Sequence, residues 1–303
     1  MGKDNPDTFE QQFKSKLLEV LKFTIYFLEK HSLRWFVGQG SCIGAVRHHG
    51  LIPWDDDVDL LMPRDDYDKL ISLGEEMKGT GYELVSWKSH DAMIPFAKIV
   101  NRNTTIWEIK YHPYVSGVFV DIFPMDLSAK RKVDILKDLG HYDNILRKYR
   151  SSMTSYSWKD IFELGVHHRL FFLREGILSK FTRRYKFKYL QKLQNLEKEN
   201  NSSDGNLFVL FSASFVYAYE KEIFKKEWFS DYVLMPFEDT EVRVPVGYDE
   251  YLRHVYGDYM KLPPVEKRVS RHFHYYVDLQ EGKSLEEIKK IKCNEKESRS
   301  ILP

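Results

Sequence analysis

The stretch Ile52-Pro53-Trp54-Asp55-Asp56-Asp57-Val58-Asp59-Leu60-Leu61-Met62-Pro63 decides how this chain is read. Taken as a strand, its alternation sets Asp55, Asp57 and Asp59 on one face, with successive Cβ atoms roughly 6–7 Å apart. Asp57 and Asp59 stand among Val58, Leu60 and Leu61, a run with the pattern of a fully buried strand. Unpaired carboxylates there carry a heavy desolvation cost, so something cationic belongs between them, and a divalent metal is the simplest answer. Mg²⁺ typically takes one or two carboxylates and leaves other positions to phosphate oxygens and water. Two other readings compete. An acidic loop open to solvent sits badly with the apolar flanks. A calcium loop of the Asp-x-Asp-x-Asp kind needs a Gly where Leu60 stands, and a closing Glu that is absent.

Downstream, Gly117-Val118-Phe119-Val120-Asp121-Ile122-Phe123-Pro124 is a second apolar strand interrupted only by Asp121. A lone Asp in such a strand demands a partner, either backbone donors or the same metal. Asp126, past the break expected at Pro124, is the alternative ligand and reads more naturally as a turn residue. Upstream, the strand Trp35-Phe36-Val37 runs into Gly38-Gln39-Gly40-Ser41. Glycines let backbone N–H groups approach an anion, and a helical start after them adds its dipole. Alone such a loop says little. Beside Asp57, Asp59 and Asp121 it becomes a phosphate cradle facing a metal cluster.

Around these segments the pattern alternates between helix and strand. Phe13, Leu17, Leu21, Ile25 and Leu28 mark an amphipathic helix over 9–30. A helical turn is expected through Cys42 to Arg47, then a strand Val58 to Met62 stopped by Pro63, with Asp65 or Asp66 capping a helix through Leu70 and Leu73. Further strands are predicted at Tyr82–Trp87, Phe96–Val100 and Val118–Phe123. From about 130 to 200 the chain is charged and almost free of Gly and Pro, which predicts two or three added helices closing at Asn200-Asn201-Ser202-Ser203-Asp204-Gly205. Strand-like runs return at Leu207–Phe211 and Val242–Val246, followed by a Tyr-rich helix from about 248 and a Lys/Glu-rich tail beyond Asp278. The expected class is α/β (α+β), a mixed sheet core with an added helical region. Its parts are a helix packed on the core (1–32), a catalytic core (33–128), a helical insertion (129–205), a segment completing the core and donor pocket (206–278) and a charged tail (279–303).

Composition excludes several function classes. With 46 Lys+Arg against 45 Asp+Glu the formal net charge is +1, which gives no reason to expect nucleic acid as a partner. Two cysteines, Cys42 and Cys293, can build neither a disulfide framework nor a cysteine zinc site, which suits a reducing compartment. No stretch of about 18 apolar residues exists, and the polar Met1 to Thr8 lacks the apolar core of a signal peptide. The expected location is cytoplasmic.

Here the residues resemble a known family. Gly40-Ser41-Cys42-Ile43-Gly44-Ala45-Val46-Arg47-His48-His49-Gly50-Leu51-Ile52-Pro53-Trp54-Asp55-Asp56-Asp57-Val58-Asp59 resembles the LicD signature, as do Phe119 to Asp126 and Tyr256-Gly257-Asp258-Tyr259-Met260-Lys261-Leu262-Pro263-Pro264. The likeness covers about 33–126 and 231–272. That family includes bacterial phosphocholine transferases and the fukutin-related phosphoribitol transferases, within the nucleotidyltransferase superfamily. The resemblance implies a nucleotidyltransferase-fold core in which Gly38, Gly40 and Ser41 meet donor phosphate, while Asp57, Asp59 and Asp121 hold Mg²⁺ or Mn²⁺ as one or two ions. Two positions depart from the pattern: Gln39 where a second Gly is common, and Ser41 where Thr is usual.

The resemblance also implies a CDP-linked donor such as CDP-choline, a glycan hydroxyl as acceptor and CMP as leaving group. Arg47, Arg64 and Lys98 are cations for phosphate oxygens, with a structural ion pair as the equal alternative for each. Arg268 and His272 complete the donor pocket, and Trp54 or Trp107 would face a quaternary ammonium group. His48 and His49 read as surface residues. The rival enzyme is a nucleotide-sugar glycosyltransferase, and the rival from another class is a non-catalytic nucleotide- or carbohydrate-binding module. Finally, Arg169 to Lys192 carries eight basic residues interleaved with aromatics. That segment suggests peripheral contact with the inner face of the plasma membrane, where a lipid-linked acceptor would lie, against the plainer reading of a solvated basic helix.

Overall fold

The computed structural model describes residues 8–87, 94–154, 177, 179, 181–213, 218–270, 272 and 274–300. Helix α1, Phe9–Lys30, opens with a capping box: the Gln11 N–H donates to Thr8 Oγ1 at 3.3 Å and the Thr8 N–H to Gln11 Oε1 at 2.7 Å. Its apolar stripe buries Phe13, Leu17, Val20, Leu21, Phe27 and Leu28, while Ile25 is half-buried. The helix lies against the main sheet through that stripe.

The sheet is built from β1 (Phe36–Val37), β2 (Asp59–Pro63), β3 (Tyr82–Val85), β4 (Ala97–Asn101) and β6 (Phe119–Ser128), in the order β1-β2-β6-β4-β3. Only the central pair β2/β6 is parallel. The α/β class is therefore observed, with a mixed sheet. β5 (Thr105–Trp107) pairs instead with β11 (Tyr276–Asp278). β7 (Leu207–Val209) extends the sheet from the far end of β6, and β8 (Ile223–Lys225) extends it again.

Strand β6 corrects the expected break at Pro124. Asp121 donates its N–H to Val58 O at 2.9 Å, so Asp121 and its odd-numbered neighbours face β2. Pro124 then faces the opposite edge, between β4, which pairs only as far as Ile122, and β7, which begins pairing at Asp126. No ladder bond is asked of its missing N–H, so the strand continues through it. Asp126 is consequently a strand residue, not a turn residue.

Strand β2 likewise includes Pro63, which also serves as the N-cap of α3 (Arg64–Leu73) with no side-chain cap. Asp65 and Asp66 lie inside the first turn instead of capping it, where they still complement the helix dipole. The added helices α4 (Lys132–Met153) and α5 (Lys186–Asn200) form a second core with Tyr142, Leu146, Leu193 and Phe211. Hairpin β9 (Tyr232–Phe237) and β10 (Thr240–Pro245) precedes helix α6 (Tyr248–Tyr256). The first of these strands went unforeseen because Tyr232, Val233 and Leu234 are all exposed and show no alternation. The tail forms α7, Leu285–Ser300, anchored by buried Ile288. Among the described residues no helix is long and apolar enough to cross a membrane.

Candidate active site

Two carboxylates, Asp59 and Asp121, meet where β2 and β6 pair. Parallel register sets Asp59 directly beside Asp121, and antiparallel register sets Lys98 beside Asp121 on the other side. Directly paired residues share a face, so Lys98, Asp121 and Asp59 form one row across three strands. Gly38 ends the row: its N–H donates to Asp59 O at 2.9 Å. Asp55 and Asp57 do not belong to the strand as expected, since β2 begins only at Asp59. A turn at Pro53-Trp54 and the extended segment after it bring them to the same place.

The glycine loop shapes this end of the site. A Cβ at Gly38 would fall 2.5 Å from Leu61 Cγ, and one at Gly40 would fall 2.9 Å from Asp55 Oδ2. Helix α2 (Gln39–Ile43) starts within the loop, earlier than the turn expected from Cys42, and a wider helical turn follows over Gly44–His48. Gln39 has φ 45°, in the left-handed region that favours glycine. It is held there by two tyrosines: its N–H donates to Tyr251 Oη at 2.9 Å, and Tyr256 Oη donates to its Oε1 at 3.0 Å. Ser41 Oγ accepts the Asp59 N–H at 2.9 Å. Ser41 thus positions Asp59 from behind the wall, and the cavity lining contains Gln39 and Gly40 but neither Gly38 nor Ser41.

Asp59 and Asp121 are each 8 % exposed. Burial, reinforced by the charges of Asp57 and Asp121, pushes the Asp59 carboxyl well above the usual range. Burial and then the charge of Asp55 lift Asp57 to about 8. For Asp121 burial raises the carboxyl to about 6, and Lys98 opposes it. Lys98 Nζ stands 3.3 Å from Asp121 Oδ1 and 3.4 Å from Glu108 Oε2. The contact with Asp121 is an ion pair without hydrogen-bond alignment, so this buried oxygen keeps its acceptor capacity. His272 Nδ1 lies 2.7 Å from Asp56 Oδ1 and its Nε2 3.4 Å from Asp57 Oδ2. The hydrogen bond to Asp56 and the charge of Asp57 overcome burial and raise the imidazole to about 9, which keeps it protonated at neutral pH. Donor atoms of Asp55, Asp56, Asp57 and His272 lie within 4.8 Å of one another. The tightest grouping is therefore not the expected trio, and Asp57 is the member common to both.

These groups open into a cavity of about 900 Å³. Of the expected cations, Arg47 and Lys98 line it. Arg47 donates to Tyr259 O. Arg268 stands just behind, its guanidinium 5.6 Å from the ring centre of Trp54, which does line the cavity. Arg64 does not: its Nε and Nη2 donate to Asp126 Oδ1 and Oδ2 at 2.7 and 2.9 Å, and Nη2 lies 3.3 Å from Glu197 Oε2. It is a structural ion pair, because Asp126 sits an odd number of residues from Asp121 and so points to the opposite face of β6. Trp107 is also removed from a ligand-binding role. Its indole donates to His112 O at 2.7 Å, its ring packs on Tyr275, and it lies outside the cavity lining.

Sequence reasoning missed Asp56, Glu108, Glu222, Tyr256, Lys261 and Lys267. Asp56 lay within the quoted motif but on the wrong phase of an assumed strand. Lys261 and Lys267 flank the Leu262-Pro263-Pro264 turn of the segment expected to complete the donor pocket, but neither lysine was singled out as a cation of the site. Glu222, in the charged run Glu220-Lys221-Glu222, had no signal that separates it from a solvated turn. His48 is half-buried, its ring edge-on to Trp54 at 6.0 Å, whereas His49 is exposed as expected. Of the basic segment 169–192, residues 169–176, 178 and 180 lie outside the described residues.

A mixed sheet thus sets an acidic row beside a glycine loop and a strand-end turn. Residues 32–144 match the model of the LicD/FKTN/FKRP nucleotidyltransferase domain. The chain is similar to the lipopolysaccharide cholinephosphotransferase LicD of Haemophilus influenzae, with 28% identity over 260 residues, 84% of this chain and 92% of that one. Shorter likenesses reach an uncharacterized protein of Rickettsia typhi (32% over 68 residues, 22% of each chain) and one of Rickettsia prowazekii. The latter is 33% identical over 66 residues, 22% of this chain and 25% of that protein.

Proposed function

We propose that the protein is a transferase that moves phosphocholine from a CDP-linked donor to a hydroxyl of a cell-surface glycan and releases CMP. The observation that carries this is the row Lys98–Asp121–Asp59, with Asp55 and Asp57 above it, opening into one cavity with the cations Arg47, Lys261 and Lys267. The cholinephosphotransferase activity named for the Haemophilus relative supports phosphocholine as the group transferred. The donor set fits a hard divalent cation: all oxygens, mutually repelling, with Asp121 Oδ1 lacking an aligned donor. Asp57, Asp59 and Asp121 would hold Mg²⁺ or Mn²⁺, which supplies charge neutralisation at the pyrophosphate.

The remaining work belongs to the chain. Arg47, Lys261 and Lys267 draw the pyrophosphate in, and the backbone of Gln39-Gly40 lets it approach. The glycan hydroxyl oxygen attacks the phosphorus that carries choline, the bond to CMP breaks, and CMP departs with its electron pair. Asp121 takes the hydroxyl proton with one carboxylate oxygen while the other remains in the cluster. Positioning and charge neutralisation account for most of the rate in such transfers.

The test offers CDP-choline, CDP-glycerol, CDP-ribitol and UDP-sugars with Mg²⁺ and acceptor glycans, followed by phosphorus NMR. A phosphodiester product with CMP release from CDP-choline supports the reading. UDP release indicates a glycosyltransferase, and silence with every donor leaves a binding module. Both overturn it.

A further inference from the structure

Among the described residues, each buried or half-buried acidic side chain lining the cavity has a counterpart except one, and Asp258, also in the lining, is exposed to solvent. Asp121 and Glu108 share Lys98, and Asp56 and Asp57 share His272. Asp55 hydrogen-bonds with Asp57, and Asp59 belongs to the proposed cation centre. Glu222 lines the same cavity, is 6 % exposed, and its Oε2 has no hydrogen-bond partner among the described residues. It stands at the end of the turn Tyr219–Glu222, which packs against α6, the helix that carries Tyr251 and Tyr256. Its charge acts on both of those phenols.

The aromatic residues of the cavity divide in the same way. Trp54 already has the Arg268 guanidinium over its ring, and Tyr259 has that of Arg253 at 5.9 Å. Phe96 and Phe123 are buried against each other at 4.2 Å. Tyr256 is 42 % exposed, and among the described residues no cation lies over its ring. A buried carboxylate and an aromatic face beside it, neither with a cation on it among the described residues, complement an alkylammonium group.

We propose that Glu222 and the ring of Tyr256 form the subsite for the positively charged head group of the donor, a quaternary ammonium. This rests on the phosphocholine-transfer reading above and assigns its selectivity to two residues outside the acidic cluster. Burial lifts the empty Glu222 carboxyl to about 8, with only Lys221 opposing, so the group is mostly protonated at neutral pH. A bound cation makes the ionised form favourable. A neutral head group of the same shape gains nothing from it.

Calorimetry on the Mg²⁺-loaded protein, with phosphocholine, its uncharged isostere 3,3-dimethylbutyl phosphate, and CMP, tests the assignment. Wild type is expected to bind phosphocholine roughly tenfold or more tightly than the isostere. Glu222→Gln and Tyr256→Leu are expected to close most of that gap, and in Glu222→Gln CMP affinity stays within about twofold. A wild type that does not distinguish the two ligands, or that fails to bind phosphocholine, overturns the proposal. So does a gap that survives in both variants. Failure of the function reading looks different: the gap is present, but CDP-choline yields no transferred phosphocholine.

Discussion

Strand β6 carries two buried aspartates five residues apart, and their surroundings differ completely. Asp126, wholly buried, receives two hydrogen bonds from Arg64, whose guanidinium is shared with Glu197. Asp121, on the other face, has one lysine without hydrogen-bond alignment and three further carboxylates nearby. The first cluster has its hydrogen bonds supplied by the fold itself, with Tyr142 also donating to Glu197, and holds α3, β6 and α5 together. The second is left with excess negative charge that the fold does not cancel. A buried charge the protein compensates argues for structure, and one it leaves uncompensated argues for a ligand.

The comparison breaks most visibly at Asp57 and Asp59. Asp57→Asn and Asp59→Asn should each lower transfer to about a thousandth of wild type or less, since a lost cation contact removes several kcal/mol of transition-state stabilisation. Tm should hold or rise, because the substitution relieves repulsion. Either variant keeping more than a tenth of the activity, measured as CMP release with Mg²⁺, would remove the cation centre from the account.

A smaller effect follows from the raised carboxyls. Asp57, at about 8, and Asp121, at about 6, keep their protons in the folded protein at pH values where the unfolded chain has released them. Without divalent cation the folded state binds more protons, so these groups make stability fall as pH rises from about 4 to about 8. Tm measured across that window in chelator should fall less steeply for Asp57→Asn than for wild type, and saturating Mg²⁺ should flatten the wild-type slope. Equal slopes in wild type and variant would contradict the assigned electrostatics.

The smallest effect concerns Gln39. Its φ of 45° is easier for glycine, so Gln39→Gly should stabilise by up to about 1 kcal/mol, read as a modest gain in Tm. A loss of stability would show that the hydrogen bond from Tyr256 outweighs the backbone strain.

Much of this was legible in the sequence because it is local. The heptad-like stripe of α1, the Asp57–Asp59 pair in an apolar run and lone Asp121 each announce themselves within a few residues. Lys98 also reached the cavity as one of its two readings allowed. The errors all involve information that a local pattern lacks. Pro124 breaks a strand only where its edge is paired, and here that edge falls between β4 and β7. Arg64 follows β2 closely, yet its partners Asp126 and Glu197 come from distant parts of the chain. Trp107 and Trp54 look equivalent in composition, and only packing separates them. Glu222 became visible when α6 and its preceding turns closed the cavity wall.

The most direct test compares Asp121→Asn with Asp126→Asn, two identical substitutions on one strand. Transfer activity and Tm should be measured together on both. Asp121→Asn should abolish transfer and leave Tm within a few degrees of wild type. Asp126→Asn should retain transfer in the folded protein and lose about 3 kcal/mol of stability, the scale for breaking a buried pair, with a Tm lower by on the order of 10 °C. The reverse pattern, with Asp121→Asn active but unstable and Asp126→Asn stable but inactive, would place the reacting centre on the wrong face of β6 and contradict the account.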